Sequence, residues 1–150
     1  MKLRIPPPLV MLVFAGLMYL LAKFLPVGYF DFAGREWGYK ILVGLAVLVF
    51  LASFFKFKVA KTTVDPINPE KASTLVTSGI YKFTRNPMYL GMLILLLAFA
   101  TRLGNAFNVL LAAGFVSYIN KFQIKHEEAA LTKLFGKEYK MYCNKVRRWF

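Results

Sequence analysis

The stretch "NPMYLGMLILLLAFATRLGNAFNVLLAAGFVSYIN", residues 86–120, decides how the chain folds. It holds two apolar runs, about 88–101 and 103–120, with only "TRLGN" between them. A connection that short makes the two runs antiparallel neighbours. Pro87 sits at the start of the first run, where a missing N–H costs a helix nothing. The pair reads as a tight helical hairpin.

Working outward, two more apolar windows precede it, at about 8–25 and 39–55. A hydrocarbon core needs about 20 residues of helix. Each window is slightly short of that, which implies tilt, extension beyond the apolar run or local thinning of the bilayer. The expected fold is an all-α integral membrane bundle of four transmembrane helices in a single domain, residues 1–150. A loop at 56–87 and a tail at 121–150 complete it. Hydrophobic residues make up 58% of the chain, more than a core of this length can hide, so lipid is the expected surroundings. The opening "MKLRIPPPLVMLVFAGLMYLLAKF" has the basic start of a signal peptide. No small-x-small cleavage site follows, so it reads as a retained first span.

Charge orients the bundle. Sixteen of the twenty basic residues fall before the first window, in the 56–87 loop or in the tail. The other side has Lys23, Arg35, Lys40 and Arg102. The positive-inside rule puts both termini and the long loop in the cytoplasm, as an even number of spans requires. The expected location is therefore the cytoplasmic (inner) membrane, multi-pass. In a soluble chain, twenty Lys and Arg against seven acids would point to nucleic acid. Here the partner they imply is anionic lipid, and no nucleic acid or obligate protein partner is expected. Cys143 and His126 are one residue each, too few for a metal site or an internal disulfide.

Chemistry gathers in two places. "SGIYKFTRNPMYLG" packs Gly79, Tyr81, Arg85, Asn86, Pro87, Tyr89 and Gly91 into one run at the mouth of the third window. Two readings are open: an interfacial Arg/Tyr anchor, or an anion seat made of a helix N-terminus and Arg85. The tail "HEEAALTKLFGKEYKMYCNKVRRWF" reads as two short amphipathic helices, with Gly136 capping the first and Tyr139, Tyr142 and Val146 on one face of the second. Glu127 and Glu128 stand among lysines. Either they pair with Lys125 or Lys133, or they bind an ammonium or a ribose hydroxyl. Arg147 and Arg148 either touch lipid phosphates or turn back into a pocket. Common soluble-enzyme motifs (GxGxxG, Walker loop, HExxH, GxSxG) are absent from the sequence. What remains is a transfer whose donor is already activated, or one run by a redox cofactor.

The run "GIYKFTRNPMYLG", followed after the hairpin by "EEAALTKLFGKEYKMYCNKVRRW", resembles the isoprenylcysteine carboxyl methyltransferase family. The related phospholipid methyltransferases share parts of it. The resemblance covers residues 76–149. The family's Arg-(His or Asn)-Pro-x-Tyr-x-Gly element falls on Arg85, Asn86, Pro87, Tyr89 and Gly91. Its paired glutamates fall on Glu127 and Glu128, its Phe-Gly-x-x-Tyr-x-x-Tyr element on Phe135, Gly136, Tyr139 and Tyr142, and its closing Val-Pro-Arg-Trp on Val146, Arg148 and Trp149. Asn86 stands where many eukaryotic members have histidine, and Arg147 where proline is usual; the first points to the prokaryotic branch.

The resemblance implies a methyltransferase that takes S-adenosylmethionine from the cytosol and a lipophilic acceptor from the bilayer. It implies cofactor-binding roles for Gly79, Tyr81, Arg85, Asn86, Pro87, Tyr89, Gly91, Tyr139 and Tyr142. With the placement of charge, it gives Glu127, Glu128 and Arg148 the part of orienting cofactor or acceptor during catalysis. S-adenosylmethionine carries a carboxylate, an ammonium and a sulfonium, which ask for a cationic site, a carboxylate and aromatic groups. Two other classes compete: an NADPH-dependent membrane reductase of the sterol-reductase type, and a non-enzymatic basic protein that binds anionic lipid.

Overall fold

The computed structural model describes residues 5–25, 27–59 and 73–150. Among these residues the chain is all helical, with no strand beyond a single bridge between Tyr29 and Asn105. Helix α1 spans Pro7–Phe24 and α2 spans Arg35–Val59. After the 3₁₀ turn Gly79–Lys82 come α3, Pro87–Leu103, and α4, Asn108–Ile119. A π-helical turn at Asn120–Ile124 leads straight into α5, Lys125–Lys145. The middle of the expected 56–87 loop, residues 60–72, lies outside the described residues.

Among the described residues two helices, α1 and α2, are long and apolar enough to cross a membrane. At 1.5 Å per residue, the 25 residues of α2 reach about 38 Å. Helix α3 is apolar but shorter, at 17 residues. Large apolar side chains cover the outward faces of α1 and α2, among them Leu9, Leu12, Leu20, Ile41, Leu48 and Phe54. Water disfavours such a surface and hydrocarbon does not. Taken with the family identified below, these helices make this a membrane protein.

Helix α3 is the axis of the bundle. Its buried residues Tyr89, Gly91, Met92, Ile94, Leu96, Ala98 and Ala100 lie all round its circumference, as a helix enclosed by others requires. Met92, Leu96 and Ala100 meet α1 and α4 through Val10, Met18, Ala112 and Phe115, while Ile94 packs on Ala46 and Val49 of α2. Small residues set the closest approach. A Cβ on Gly91 would lie 3.0 Å from the Phe50 ring of α2, so this glycine is where the two helices touch.

Asn105 ties the α1–α2 loop to the α3–α4 turn. Its Nδ2 donates to the carbonyls of Leu25 and Val27, and its Oδ1 accepts from the Phe107 N–H. Gly104, in the left-handed region at φ 66°, ends α3 with its N–H on the Ala100 carbonyl. Leu103 therefore closes α3, and α4 begins at Asn108 rather than at 103. At the same end Arg35 pairs with Asp31 at 3.3 Å, and Arg102 pairs with Glu36.

The tail follows the expectation of two helices. Within α5, Lys125–Lys145, Gly136 leaves the helical region at φ 50° and ψ −116°, so two helical segments meet there across a kink. Helix α4 alone has 12 residues, but the π turn carries it on without a break. A π turn also alters phase, because each residue of helix accounts for about 100° of rotation. Everything after Ile124 points in a different direction from a plain α continuation.

Candidate functional site

The last five residues make the site. Val146 leaves α5 in extended conformation, φ −127° and ψ 134°, and residues 146–150 run back as a strap. The turn before α3 clasps that strap by its backbone. The Arg85 N–H donates to the Arg147 carbonyl at 2.9 Å. The Arg148 carbonyl accepts from Thr84 Oγ1 at 3.0 Å and from Asn86 Nδ2 at 3.1 Å. Thr84 Oγ1 accepts in turn from the Asn86 N–H, so the turn and the strap form one hydrogen-bonded unit. Beyond it, Trp149 Nε1 donates to Asn120 Oδ1 at 3.1 Å, tying the strap to the first residue of the π turn. That turn is anchored from the other side by Gln123 Nε2, which donates to the Ile5 carbonyl at 2.8 Å.

The clasp brings three charges together. Arg148 binds Glu128 through two parallel bonds, Nε to Oε1 at 2.8 Å and Nη2 to Oε2 at 2.6 Å. Arg85 Nη1 approaches the same carboxylate at 3.2 Å and also touches Cys143 Sγ. Two guanidinium groups thus share one carboxylate. The bidentate pair fixes geometry as well as charge. The bonds to Glu128, together with its negative charge, push the Arg148 guanidinium still further up from its ordinary value, so it stays protonated. Arg85 Nε is buried without a hydrogen-bond partner, as is Nδ1 of His126.

A layer of tyrosines lies beside these charges. Tyr81, Tyr139, Tyr142 and Val146 form a buried cluster, with Leu131, Phe135 and Cys143 around it. The Tyr142 hydroxyl donates to the Tyr81 carbonyl at 2.6 Å, which fastens α5 to the 3₁₀ turn. Burial pushes all three phenols up from their ordinary range; Cys143 and Glu128 add to the rise at Tyr139, and Arg85 opposes it at Tyr139 and Tyr142. Tyr89, one turn into α3, donates its hydroxyl to Glu127.

Several residues singled out in the sequence therefore meet. Arg85, Asn86, Glu128 and Arg148 form the clasp, Tyr89 and Glu127 pair next to it, and Tyr81, Tyr139 and Tyr142 line its floor. Glu127 pairs with Tyr89, and Glu128 with Arg148 and Arg85. Gly91 faces the Phe50 ring of α2, and Gly79, at φ 64°, leaves room for the Lys56 side chain, which a Cβ there would meet. Pro87 is buried at the first turn of α3. Reading the sequence missed Thr84, Asn120 and the contact of Cys143 with Arg85. A polar residue in the turn before a proline-started helix was the available hint for Thr84. Nothing local marks Asn120, because its partner lies 29 residues away. At the opposite end of the bundle a cavity of about 260 Å³, lined by Phe30, Leu97, Ala100 and Val109 among others, has no titratable lining.

A helical membrane chain whose C-terminal strap is buckled to the start of its central helix, around an Arg–Glu–Arg cluster, defines the class. Comparison with known proteins then gives the family. The phospholipid methyltransferase family matches residues 37–138, more than half of the chain, and the protein belongs to that family. It is 48% identical over 62 residues to an "Uncharacterized protein" of Haemophilus influenzae, covering 98% of that protein and 41% of this chain. It is also 38% identical over 76 residues to a "Protein-S-isoprenylcysteine O-methyltransferase" of Schizosaccharomyces pombe. That match takes in 51% of this chain but only 32% of the yeast protein, so the chain spans about a third of that relative's length. The resemblance seen in the sequence is thereby upheld at the level of the family: the chain belongs to a methyltransferase family and is similar to an isoprenylcysteine O-methyltransferase.

Proposed function

We propose that the protein transfers the methyl group of S-adenosylmethionine to a lipophilic acceptor at the cytoplasmic face of the membrane. The observation that carries this reading is the clasp itself. Three distant stretches, 84–89, 127–128 and 146–149, converge beside the start of α3 in a chain of a methyltransferase family. In the proposed topology α1, α2, α3 and α4 span the bilayer, with α5 and both termini on the cytoplasmic side.

The residues present fit the cofactor. The Asn86 side chain leaves the first amides of α3 uncapped, and Arg85 Nε is buried without a partner. Together they suit a carboxylate. Glu127 suits an ammonium group, and Tyr81, Tyr139 and Tyr142 offer ring faces to a cation. The cofactor, when bound, supplies a methyl group already activated by its sulfonium. The chain's own task is then alignment and exclusion of water. Arg148, held rigid by Glu128, is placed to orient an anionic acceptor, and Glu127 with Tyr89 orients the opposite side. An acceptor carboxylate, such as that of a prenylcysteine-like compound or another small lipid, is ionised at neutral pH and needs no general base. That agrees with a cluster containing no nucleophile–base pair.

Calorimetric titration of the purified protein with S-adenosylhomocysteine, and separately with NADPH, tests this. The expected result is saturable binding of S-adenosylhomocysteine alone, weakened by Glu127→Ala, Glu128→Ala and Arg148→Ala. Binding of NADPH instead would make the protein a reductase. Binding of neither would sink the enzyme reading in favour of a basic lipid-binding protein.

A further inference from the structure

Helix α5 divides its charges between two faces. Glu127 and Glu128 turn inward to Tyr89 and the arginines, and Tyr139 and Tyr142 are buried. Lys125, Lys133, Lys137, Lys140 and Lys145 all point outward, with Glu138 the one exposed acid on the helix. None of these lysines forms an ion pair among the described residues. Interleaved with them, Leu134 is 45% exposed and Met141 50% exposed. The helix continues directly from α4 through the π turn, so this face is tethered beside the membrane.

We propose that the outer face of α5 docks on anionic phospholipid headgroups. Lysines satisfy lipid phosphates while Leu134 and Met141 reach the acyl boundary, as interfacial amphipathic helices do. A polynucleotide or an acidic protein would match the lysines but leave the two apolar side chains in water. Tethering also favours lipid, since it gives the face a high effective concentration of headgroups at no cost in association. The surface is separate from the clasp, and it stands or falls independently of the methyltransferase reading.

The test is amide hydrogen exchange across 125–145, on the full chain in nanodiscs of phosphatidylcholine with and without phosphatidylglycerol. Exchange is expected to slow several-fold with phosphatidylglycerol and to recover when salt is raised. The triple variant Lys133→Glu/Lys137→Glu/Lys140→Glu should lose that slowing while matching the parent in phosphatidylcholine. All three positions are exposed, so the fold is not at risk. The Lys→Gln triple variant should lose part of the effect. Equal exchange in both kinds of disc overturns the proposal. So does equal slowing in phosphatidylcholine discs on adding an oligonucleotide or polyglutamate, which would make the partner any polyanion.

Discussion

At the scale of single residues, Glu128 is the point on which the site turns. Its two oxygens hold Arg148 at 2.6 and 2.8 Å and face Arg85 at 3.2 Å. With the carboxylate gone, two guanidinium groups face each other. Glu128→Gln is expected to weaken strap docking by about 2 kcal/mol, the usual loss for a charged hydrogen bond. Glu128 is 19% exposed and Arg148 35%, so solvent screens part of the charge and the full cost of a buried pair does not apply. Faster proteolytic trimming of 146–150 and a roughly tenfold or greater loss of S-adenosylhomocysteine affinity would report it. Arg148→Lys should lose the bidentate geometry and fall between the two. If Glu128→Gln binds and trims like the parent, the clasp is not what orders the site.

The tyrosines set a limit in pH. Each phenol ionises near 10.0 in the unfolded chain and higher in the fold, because burial disfavours the anion. Above that value the unfolded chain has released protons that the fold retains. Stability should therefore be untouched by these groups below about pH 10 and fall as pH rises beyond it. Thermal unfolding in detergent between about pH 8 and about pH 11, which brackets the ordinary phenol range, checks this, and Tyr139→Phe should flatten the decline.

At the scale of elements, the α2–α3 contact and the π turn position everything else. A Cβ added at Gly91 would stand 3.0–3.2 Å from the Phe50 ring, so the ring must give way in Gly91→Ala. Overpacking of this kind costs about 1–3 kcal/mol. Phe50→Leu should recover part of that loss, and a double-mutant cycle on thermal stability would show the coupling. Additive effects would mean that the two helices do not meet there. The π turn has a different importance. A regular helix through 120–124 would rotate Glu127 and Glu128 by about 100° away from Tyr89 and the arginines. The Trp149–Asn120 and Gln123–Ile5 bonds at this turn tie its register to the strap and to the start of α1.

At the scale of the whole molecule, the prediction concerns topology. Arg35 and Arg102 lie at the end of the bundle that Asn105 ties together, and the clasp and strap lie at the other. In a Cys143→Ser background, a single cysteine replacing Asp31 should react with a membrane-impermeant maleimide in intact cells. One replacing Lys145 should react only after the cells are opened. The reverse pattern would invert the proposed orientation and move the site to the far side of the membrane.

The sequence by itself determined the helical class, the approximate positions of the apolar helices and the two charge-bearing segments. Each of these rests on local properties: runs of apolar residues, a proline at a helix start, a glycine at a turn. It also carried the resemblance on which the family assignment rests, through Arg85 to Gly91 and the tail from Glu127 to Trp149. Only the tertiary structure decided which groups meet. The partners of Glu127 and Glu128 lie 38 residues away at Tyr89 and 20 away at Arg148, whereas local spacing had offered Lys125 and Lys133. The same holds for Gly91, whose proximity to Phe50 of α2 no local pattern shows. The clasp escaped notice because most of its bonds reach backbone carbonyls of the strap, and a carbonyl is the same in every residue. Periodicity shows which face of a helix is apolar, but the π turn at Asn120–Ile124 resets that face without a compositional mark. Side-chain identity thus fixed what chemistry was available, and the path of the backbone fixed where it gathers.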